Sequence, residues 1–532
     1  MNKRQRIWRV LAGALAGLLT AAVALGVAEL AAAITGPQGA PVNAVGETAI
    51  NLTPIPVKEF AITHFGSHDK EALVLGILVQ LLAFAVVIGI AAVRRMSWGM
   101  AGLVVFAALG VLAALHLPNA TASDLLPTLA GVGVAALVMV VLIRAVRAAF
   151  PVPTTPAPTT PVPTTLAPTA EPELAPQRPD RRRVLIAATG AAALATVAGG
   201  LGDKLLGRFS IAGERAQVRL PAPAVAAPAV PAGTAFAIGG LTPFFTANSD
   251  FYRVDTDLVL PQVAPETWTL RIDGMVEREL ELSYDQLLRM PLTETDITLV
   301  CVSNAVGGTY NGNARWLGLP LAGLLRQAGV RAGADQVLSA AVDGMTISTP
   351  IEAIMDGRDA LLAVGMNGQP LPIAHGFPAR MVVPGLYGYV SATKWVTRLT
   401  ITTFAQQRAY WTQRGYTAQA PIKTESRIDV PKPLAQIKAG RVAVAGVAWA
   451  PAIGIAAVEV SVDNGPWHPA KLAAADGIDT WRQWMWAWEA TPGLHTLQVR
   501  ATDSRGTTQT PRSAQTFPDG ASGWDSVVVT VT

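Results

Sequence analysis

Cysteine is all but missing from this chain: Cys301 is the only one in 532 residues. That excludes an internal disulfide, a Cys-x-x-Cys metal knuckle and a haem-attachment motif. Charge is scarce as well. Charged residues make up 15% and hydrophobic ones 51%, respectively low and high for a soluble protein. The net charge of +4 is small and builds no basic face with interleaved aromatics, which argues against nucleic-acid binding. No Gly-x-Gly-x-x-Gly follows a candidate strand, so a nicotinamide or flavin Rossmann site is not expected. The histidines are His64, His68, His116, His375, His468 and His495, and none lies mid-way along an apolar run. A bis-histidine haem among membrane helices is therefore not expected either.

The apolar excess sits in the first 201 residues. Runs at 10–28, 72–93, 98–117 and 125–143 each approach the ~20 residues that a bilayer span needs, and a fifth, Ala/Gly-rich run covers 184–201. Basic residues set their orientation. Lys3, Arg4 and Arg6 precede the first run, Arg94 and Arg95 join the second to the third, Arg144 and Arg147 end the fourth, and Arg181, Arg182 and Arg183 open the fifth. All fall on one side if every run spans. The expectation is a plasma-membrane, multi-pass protein with a cytoplasmic N-terminus and an extracytoplasmic remainder. The domain reading is a four-helix region at 1–150, a Pro/Thr-rich cytoplasmic linker at 151–182, a fifth span at 183–203 and an Ala/Pro-rich tether at 204–238. A catalytic domain at 239–425 and a final domain at 426–532 follow. Asp180-Arg181-Arg182-Arg183-Val184-Leu185 reads either as a positive-inside flank or as an internal twin-arginine export signal.

Beyond residue 239 the texture turns to short strands and amphipathic helices, without regular βαβ alternation. Residues 268–274 alternate as a strand ending in a turn glycine. Leu319, Leu321, Leu324, Leu325 and Ala328 fit one helical face closed by Gly329. Two stretches carry chemistry. In Thr298-Leu-Val-Cys301-Val-Ser-Asn304-Ala-Val-Gly-Gly308 an apolar run delivers the lone cysteine to the lip of a strand. A single cysteine is either a small core residue or a soft ligand for a redox metal. In the stretch from Asn367 to Gly388, followed by Lys394-Trp395, His375, Arg380 and Lys394 converge among Gly and Pro turns. Backbone amides and forked donors of that kind suit a phosphate-bearing group.

Cys301 with Asn304, Gly307-Gly308, Ala314-Arg-Trp316, His375-Gly-Phe-Pro-Ala-Arg380 and Lys394-Trp395 together resemble the sulfite oxidase family of molybdenum enzymes. Phe244-Phe-Thr-Ala-Asn248-Ser-Asp-Phe-Tyr252-Arg253-Val-Asp-Thr256 resembles the segment that opens this domain in bacterial members. The resemblance spans roughly 239–532. It implies an α+β molybdopterin domain with one molybdenum-molybdopterin per chain; that no haem is expected follows from the histidine positions above and not from the resemblance. By the same resemblance Cys301 is the protein's metal ligand and a catalytic residue. His375, Arg380 and Lys394 grip the pterin and its phosphate, with Asn248, Tyr252, Arg253 and Asn304 assisting. Tyr416, in Tyr410-Trp-Thr-Gln-Arg414-Gly-Tyr416, is the substrate-facing catalytic tyrosine. The expected partners are a small oxyanion or sulfoxide substrate, an external electron carrier such as a cytochrome or quinone-linked protein and, from the apolar runs, the lipid bilayer. One departure stands out. Where sulfite-oxidising members carry an arginine after the Phe-Phe pair, this chain has Ala247; Arg253, Arg315 and Arg482 are the candidates to replace its charge.

From Arg427 onward short strands recur, and Asp463-Asn464-Gly465 is a hairpin signal. The expected fold is an immunoglobulin-like β-sandwich, with Trp484, Trp486 and Trp488 on one strand face filling a core or an interface. Relatives in the family use such a domain for dimerisation, so the resemblance implies a homodimer. Two other readings compete on the residues alone. One is a cofactor-free membrane-anchored adhesion or scaffold protein, and the other a cysteine hydrolase built on Cys301 and His375.

Overall fold

The computed structural model describes residues 3–65, 68–117, 120–151 and 181–532. Nearly all of the linker expected at 151–182 lies outside the described residues. The chain divides into two compact units, residues 1–210 with 256–259, and residues 211–255 with 260–532.

In the first unit five helices are long and apolar enough to cross a membrane, among the described residues. They are Lys3–Thr35, Asp69–Arg94, Met96–Leu115, Leu126–Ala149 and Arg181–Leu206. With lipid-like side chains on every face, such helices associate through small residues that let backbones touch. The first helix shows this plainly. Gly13 and Gly17, one turn apart, lie so close to Gly89 and Ala85 of the second long helix that a Cβ at Gly17 would strike the Ala85 carbonyl. Arg147 Nη2 donates to Ala92 O at 2.7 Å, and Arg9 Nη2 to Val93 O at 3.1 Å. Both satisfy the unpaired carbonyls at the C-terminal end of Asp69–Arg94, where positive charge is favoured. Two shorter helices, Pro41–Leu52 and Ile55–Phe65, follow the first span and were not foreseen.

The second unit holds two sheets and a sandwich. The mixed sheet runs Leu280–Ser283, Thr269–Gly274, Val396–Thr402, Gln336–Ala341, Thr346–Pro350, with Thr269–Gly274 and Val396–Thr402 parallel. The other runs Thr293–Val300, Asn311–Pro320, Leu361–Met366, Gln369–Pro370, and Arg380–Val382 also pairs with Leu361–Met366. Helix Leu321–Ala328 buries Leu321, Leu324, Leu325 and Ala328 and ends on Gly329 at φ 71°. Leu319, expected on that helix, belongs to the preceding strand. This is the usual ambiguity at an element boundary.

From Glu425 two sheets face each other. Glu425–Val430, Gly440–Trp449, Arg482–Ala490 and Lys471–Leu472 form one. Gln436–Ile437, Asp525–Val531, Gly493–Asp503, Ile455–Val462 and Trp467–Pro469 form the other. Val444, Trp484 and Trp488 from the first share a core with Val460, Leu497, Val499 and Val529 from the second, so the domain is a two-sheet β-sandwich. Trp486 is only half-buried and stacks on His468 at 5.1 Å. The hairpin at Asp463-Asn464 has φ of 52° and 57°, both left-handed, the geometry such turns require.

The stretch expected as a tether is attached. Val225 bridges to Thr293 and Ala224 N–H donates to Leu292 O at 2.8 Å. Phe236 N–H donates to Gln483 Oε1 at 2.7 Å, and Pro228 O accepts from Arg315 Nη2. Composition pointed to a solvated spacer, but an extended Pro/Ala chain offers backbone groups, and an exposed strand edge gives them partners.

Candidate active site

Strand Thr293–Val300 is buried through its last five residues and carries Cys301 out of its end. A closed loop follows. Cys301 N–H donates to Tyr310 O at 2.9 Å, Asn304 N–H to Cys301 O at 3.0 Å, and Tyr310 N–H to Asn304 Oδ1 at 2.8 Å. Gly307 takes φ 73°, and a Cβ there would collide with Asp525; here only glycine fits. Cys301 is 8% exposed. Burial pushes its thiol up, against hydrogen bonding from Ser303. Tyr252 lies close enough to feel both Cys301 and Arg380, and burial, then Cys301, drives its phenol well above the ordinary range.

A cationic cluster is assembled from two distant segments. Gly376 adopts φ 106°, and a Cβ on it would lie 3.0 Å from Arg380 Cβ and 3.1 Å from Lys394 Cα. The turn therefore needs glycine to bring His375, Arg380 and Lys394 together. His375 is buried, with Nε2 3.2 Å from Asn248 O; since a carbonyl only accepts, Nε2 carries the proton. Burial, then Arg380 and Lys394, lower its pKa to about 4, so the ring is neutral at pH 7. The guanidinium of Arg380 donates to His375 O at 3.1 Å and Ala392 O at 3.3 Å and lies 5.3 Å over the Trp316 ring; burial lowers it to about 10. Lys394 Nζ sits 2.7 Å from Asp255 Oδ2, and burial brings it down to about 8 despite that carboxylate. Arg253 grips Asp255 with two bonds, at 2.7 and 3.1 Å. Asn248 is spent on the frame, accepting from Asn367 Nδ2 at 2.8 Å and donating to Met366 O at 3.3 Å.

Tyr416 is placed in an aromatic cluster with Tyr389, Trp411 and Phe517, at ring separations of 5.3, 5.3 and 5.0 Å. Tyr389 and Tyr387 flank Gly388, and the buried Tyr387 phenol is raised by burial, Glu425, Asp519 and Cys301. Three residues at this site were missed from sequence: Asp255, Tyr387 and Glu425. Asp255 and Tyr387 lie within stretches singled out above without having been assigned a role, Glu425 lies in none of them, and what each does follows from its burial. Of the candidates to replace the charge absent at Ala247, Arg315 is held by Asp296 at 2.8 and 2.7 Å, Arg482 by the carbonyls of Ala473 and Ile455, and Arg253 by Asp255.

This donor set suits a phosphate-bearing redox cofactor. Arg253 and Lys394 share the Asp255 carboxylate, Arg380 adds a further cation close to Lys394 and His375, and Asn304 Nδ2 is buried without a hydrogen-bond partner among the described residues. Among the described residues no three His, Cys, Asp or Glu side chains form a metal-binding group. A hydrolytic thiolate needs a depressed pKa, whereas burial raises Cys301, and His375 is tied to Asn248.

Residues 257–411 match the family model described as "Oxidoreductase molybdopterin binding domain". The chain carries a molybdopterin-binding oxidoreductase domain of the sulfite oxidase type. Mitochondrial sulfite oxidase of Mus musculus is 30% identical over 297 residues, covering 47% of this chain and 52% of the relative. Sulfite oxidase of Gallus gallus is 30% identical over 295 residues, covering 47% and 63%. The chain thus spans about half the length of the curated relatives it matches. The crystal structure of the sulfane dehydrogenase SoxCD from Paracoccus pantotrophus aligns with TM-score 0.49 and 25% identity, over 55% of this chain and 84% of that one. Cys301, Asn304, His375, Arg380 and Lys394 lie inside the matched domain; Asn248, Tyr252, Arg253 and Tyr416 lie outside it.

Proposed function

We propose that this protein is a membrane-anchored molybdenum-molybdopterin oxidoreductase that transfers an oxygen atom to or from a small extracytoplasmic substrate. Sulfite and related oxyanions or sulfoxides are the substrate class, and electrons pass to or from an external carrier such as a cytochrome or a quinone-linked protein. The observation that carries this reading is the cationic cluster, in which Arg253 and Lys394 share Asp255 and Arg380 lies close to Lys394, with Tyr252 within electrostatic reach of both Arg380 and the buried Cys301. Molybdenum-molybdopterin bound there supplies a two-electron redox couple. Arg380 and Lys394 neutralise the pterin phosphate, with Arg253 beside them. His375 remains neutral and holds Asn248, and Asn304 shapes the turn that presents Cys301. Tyr416 donates a hydrogen bond to the substrate from within its aromatic cluster. Because Ala247 brings no charge, a neutral sulfoxide is favoured over sulfite: a charge-assisted contact is worth about 1.5–3 kcal/mol.

The membrane part of the proposal rests on five apolar helices and on Arg9, Arg94 and Arg147 gathered at one end of Asp69–Arg94. That end is cytoplasmic by the positive-inside rule, and the second unit is outside. The C-terminal sandwich, immunoglobulin-like in this reading, serves dimerisation. Whether Arg181-Arg182 acts as an export signal is tested by Lys-Lys replacement and fractionation. Elemental analysis tests the core claim. One molybdenum per chain is expected in the wild type, and none in Cys301→Ser. Paramagnetic resonance during titration with sulfite and with a dialkyl sulfoxide then ranks the substrates. Stoichiometric protein without molybdenum from a competent host would sink the reading.

A further inference from the structure

Behind the Cys301 turn the β-sandwich places a buried carboxyl that the proposed chemistry does not use. Glu425 opens strand Glu425–Val430 and is 3% exposed. Its Oε1 and the Nδ2 of Asn304 are both shut off from solvent, and neither has a hydrogen-bond partner among the described residues. The two groups are neighbours, since the Asn304 amide favours the charged form of the Glu425 carboxyl; in the resting geometry the pair stops short of a full hydrogen bond. An unpaired donor beside an unpaired acceptor is costly in an interior unless the contact has a use.

Asn304 is the residue that closes the turn, through Cys301 O and the Tyr310 N–H. Its Oδ1 meets Tyr310 only if the amide sits one way up, and an acceptor facing Nδ2 is what selects that orientation. The sandwich also grips the loop elsewhere. Arg427 Nη1 donates to Gly308 O at 2.6 Å, and Asp525 lies against Gly307. We infer that Glu425 is a positioning residue for the Cys301 site: as a neutral acid it orients the Asn304 amide, and on ionisation it draws Asn304 closer and re-shapes the 301–308 turn. The inference rests on the function proposed above for that turn.

The groups facing Glu425 are Asn304, Lys423, Asp525 and Tyr387. Burial outweighs them and pushes the carboxyl up to about 8, with Asn304 and Lys423 opposing and Asp525 assisting. Lys423 is shared with Asp519 at 3.0 Å and Gly520 O at 2.6 Å, so its charge is only partly available. Tyr387 stays a neutral phenol.

The test uses the full chain as wild type, Glu425→Gln and Glu425→Leu. Infrared difference spectra between about pH 6.5 and about pH 9.5 follow protonated carboxyls. Asp476 and Asp479, at about 6, finish titrating at the lower edge of that window and do so alike in all three proteins, and Lys394 has no carboxyl band. One band lost with a midpoint near 8 is expected in the wild type and in neither variant. Hydrogen exchange of the 301–310 segment reads the turn itself. At neutral pH Glu425→Gln is expected to match the wild type, because its amide oxygen presents to Asn304 Nδ2 the same uncharged acceptor as the protonated carboxyl. Glu425→Leu should exchange about tenfold faster. Above the midpoint the ratio of wild type to Glu425→Gln is expected to depart from one, a change that plain packing would not produce and from which Lys394 cancels. No carboxyl titrating in the window, or a ratio flat across it, overturns the inference. Both measurements work with or without metal, so a chain lacking molybdenum would defeat the proposed function while these results still decide Glu425.

Discussion

Lys394 and Asp255 are joined at 2.7 Å with side chains only 11% and 4% exposed. The carboxylate holds in place a cation that burial would otherwise discharge, and it also fixes Arg253. Asp255→Asn leaves both cations without it. Breaking one side of a buried pair costs about 3–5 kcal/mol, and the loss is expected in the melting of cofactor-free protein. In pterin-loaded protein the phosphate takes over the negative role, so the same substitution should cost less there. Equal destabilisation of both forms would argue against a phosphate at this cluster.

Lys394 also sets a pH dependence. Its pKa is lowered from 10.5 to about 8. Between those values the unfolded chain binds a proton that the folded one has released, so folding stability from this group rises with pH across the window. Anion binding moves the opposite way, because the positive charge is present below about 8 and lost above it. Pterin release followed from neutral to alkaline pH should accelerate through that value, and Lys394→Met should remove the inflection.

Gly376→Ala tests the turn that gathers His375, Arg380 and Lys394. A left-handed φ of 106° and contacts near 3.0 Å oppose any side chain there, and strain of this type costs about 1–3 kcal/mol. A lower melting temperature and loss of molybdenum content are expected together. Gly239→Ala, where a Cβ meets open space, is the control and should change neither.

Tyr416→Phe keeps the ring packed against Tyr389, Trp411 and Phe517 and removes only the hydroxyl. Turnover is expected to fall on the order of 10²-fold, with molybdenum content and melting temperature unchanged. A variant that loses its metal instead would make the tyrosine structural.

Glu425 supplies a stability signature as well. Its folded pKa is raised from 4.5 to about 8, so stability is full below the ordinary carboxyl range and is lost as pH rises towards 8. Glu425→Gln should flatten that slope, by a few kcal/mol in order of magnitude across the window. Chemical unfolding at a series of pH values measures it.

The elements that could be read from the amino-acid order are those whose signal is local. Five apolar runs, the helix face at Leu321–Ala328, the Asp463-Asn464-Gly465 hairpin and the Gly/Pro frame around His375 each lie within one short stretch. The structure extends them: the first apolar run becomes Lys3–Thr35, and helices Pro41–Leu52 and Ile55–Phe65 appear beside it. The misreading of 204–238 has the same origin. Pro/Ala composition describes a free chain well, but it says nothing about a strand edge elsewhere that will accept the chain's backbone, as Leu292 and Glu294 do for Ala224 and Val225.

What the order of residues determined by itself was the inventory: one thiol, a membrane-like first part, and a run of cations in tight turns. Folding decided what each group is worth. Asp255 reaches Lys394 across 139 positions, and Glu425 faces Asn304 across 121, and neither pairing has a trace in spacing or composition. The reason is physical. Charge state and hydrogen bonding depend on the dielectric and on neighbours in space, and burial, modified by the charges and hydrogen bonds around each group, moves His375 to about 4, Lys394 to about 8 and Glu425 to about 8.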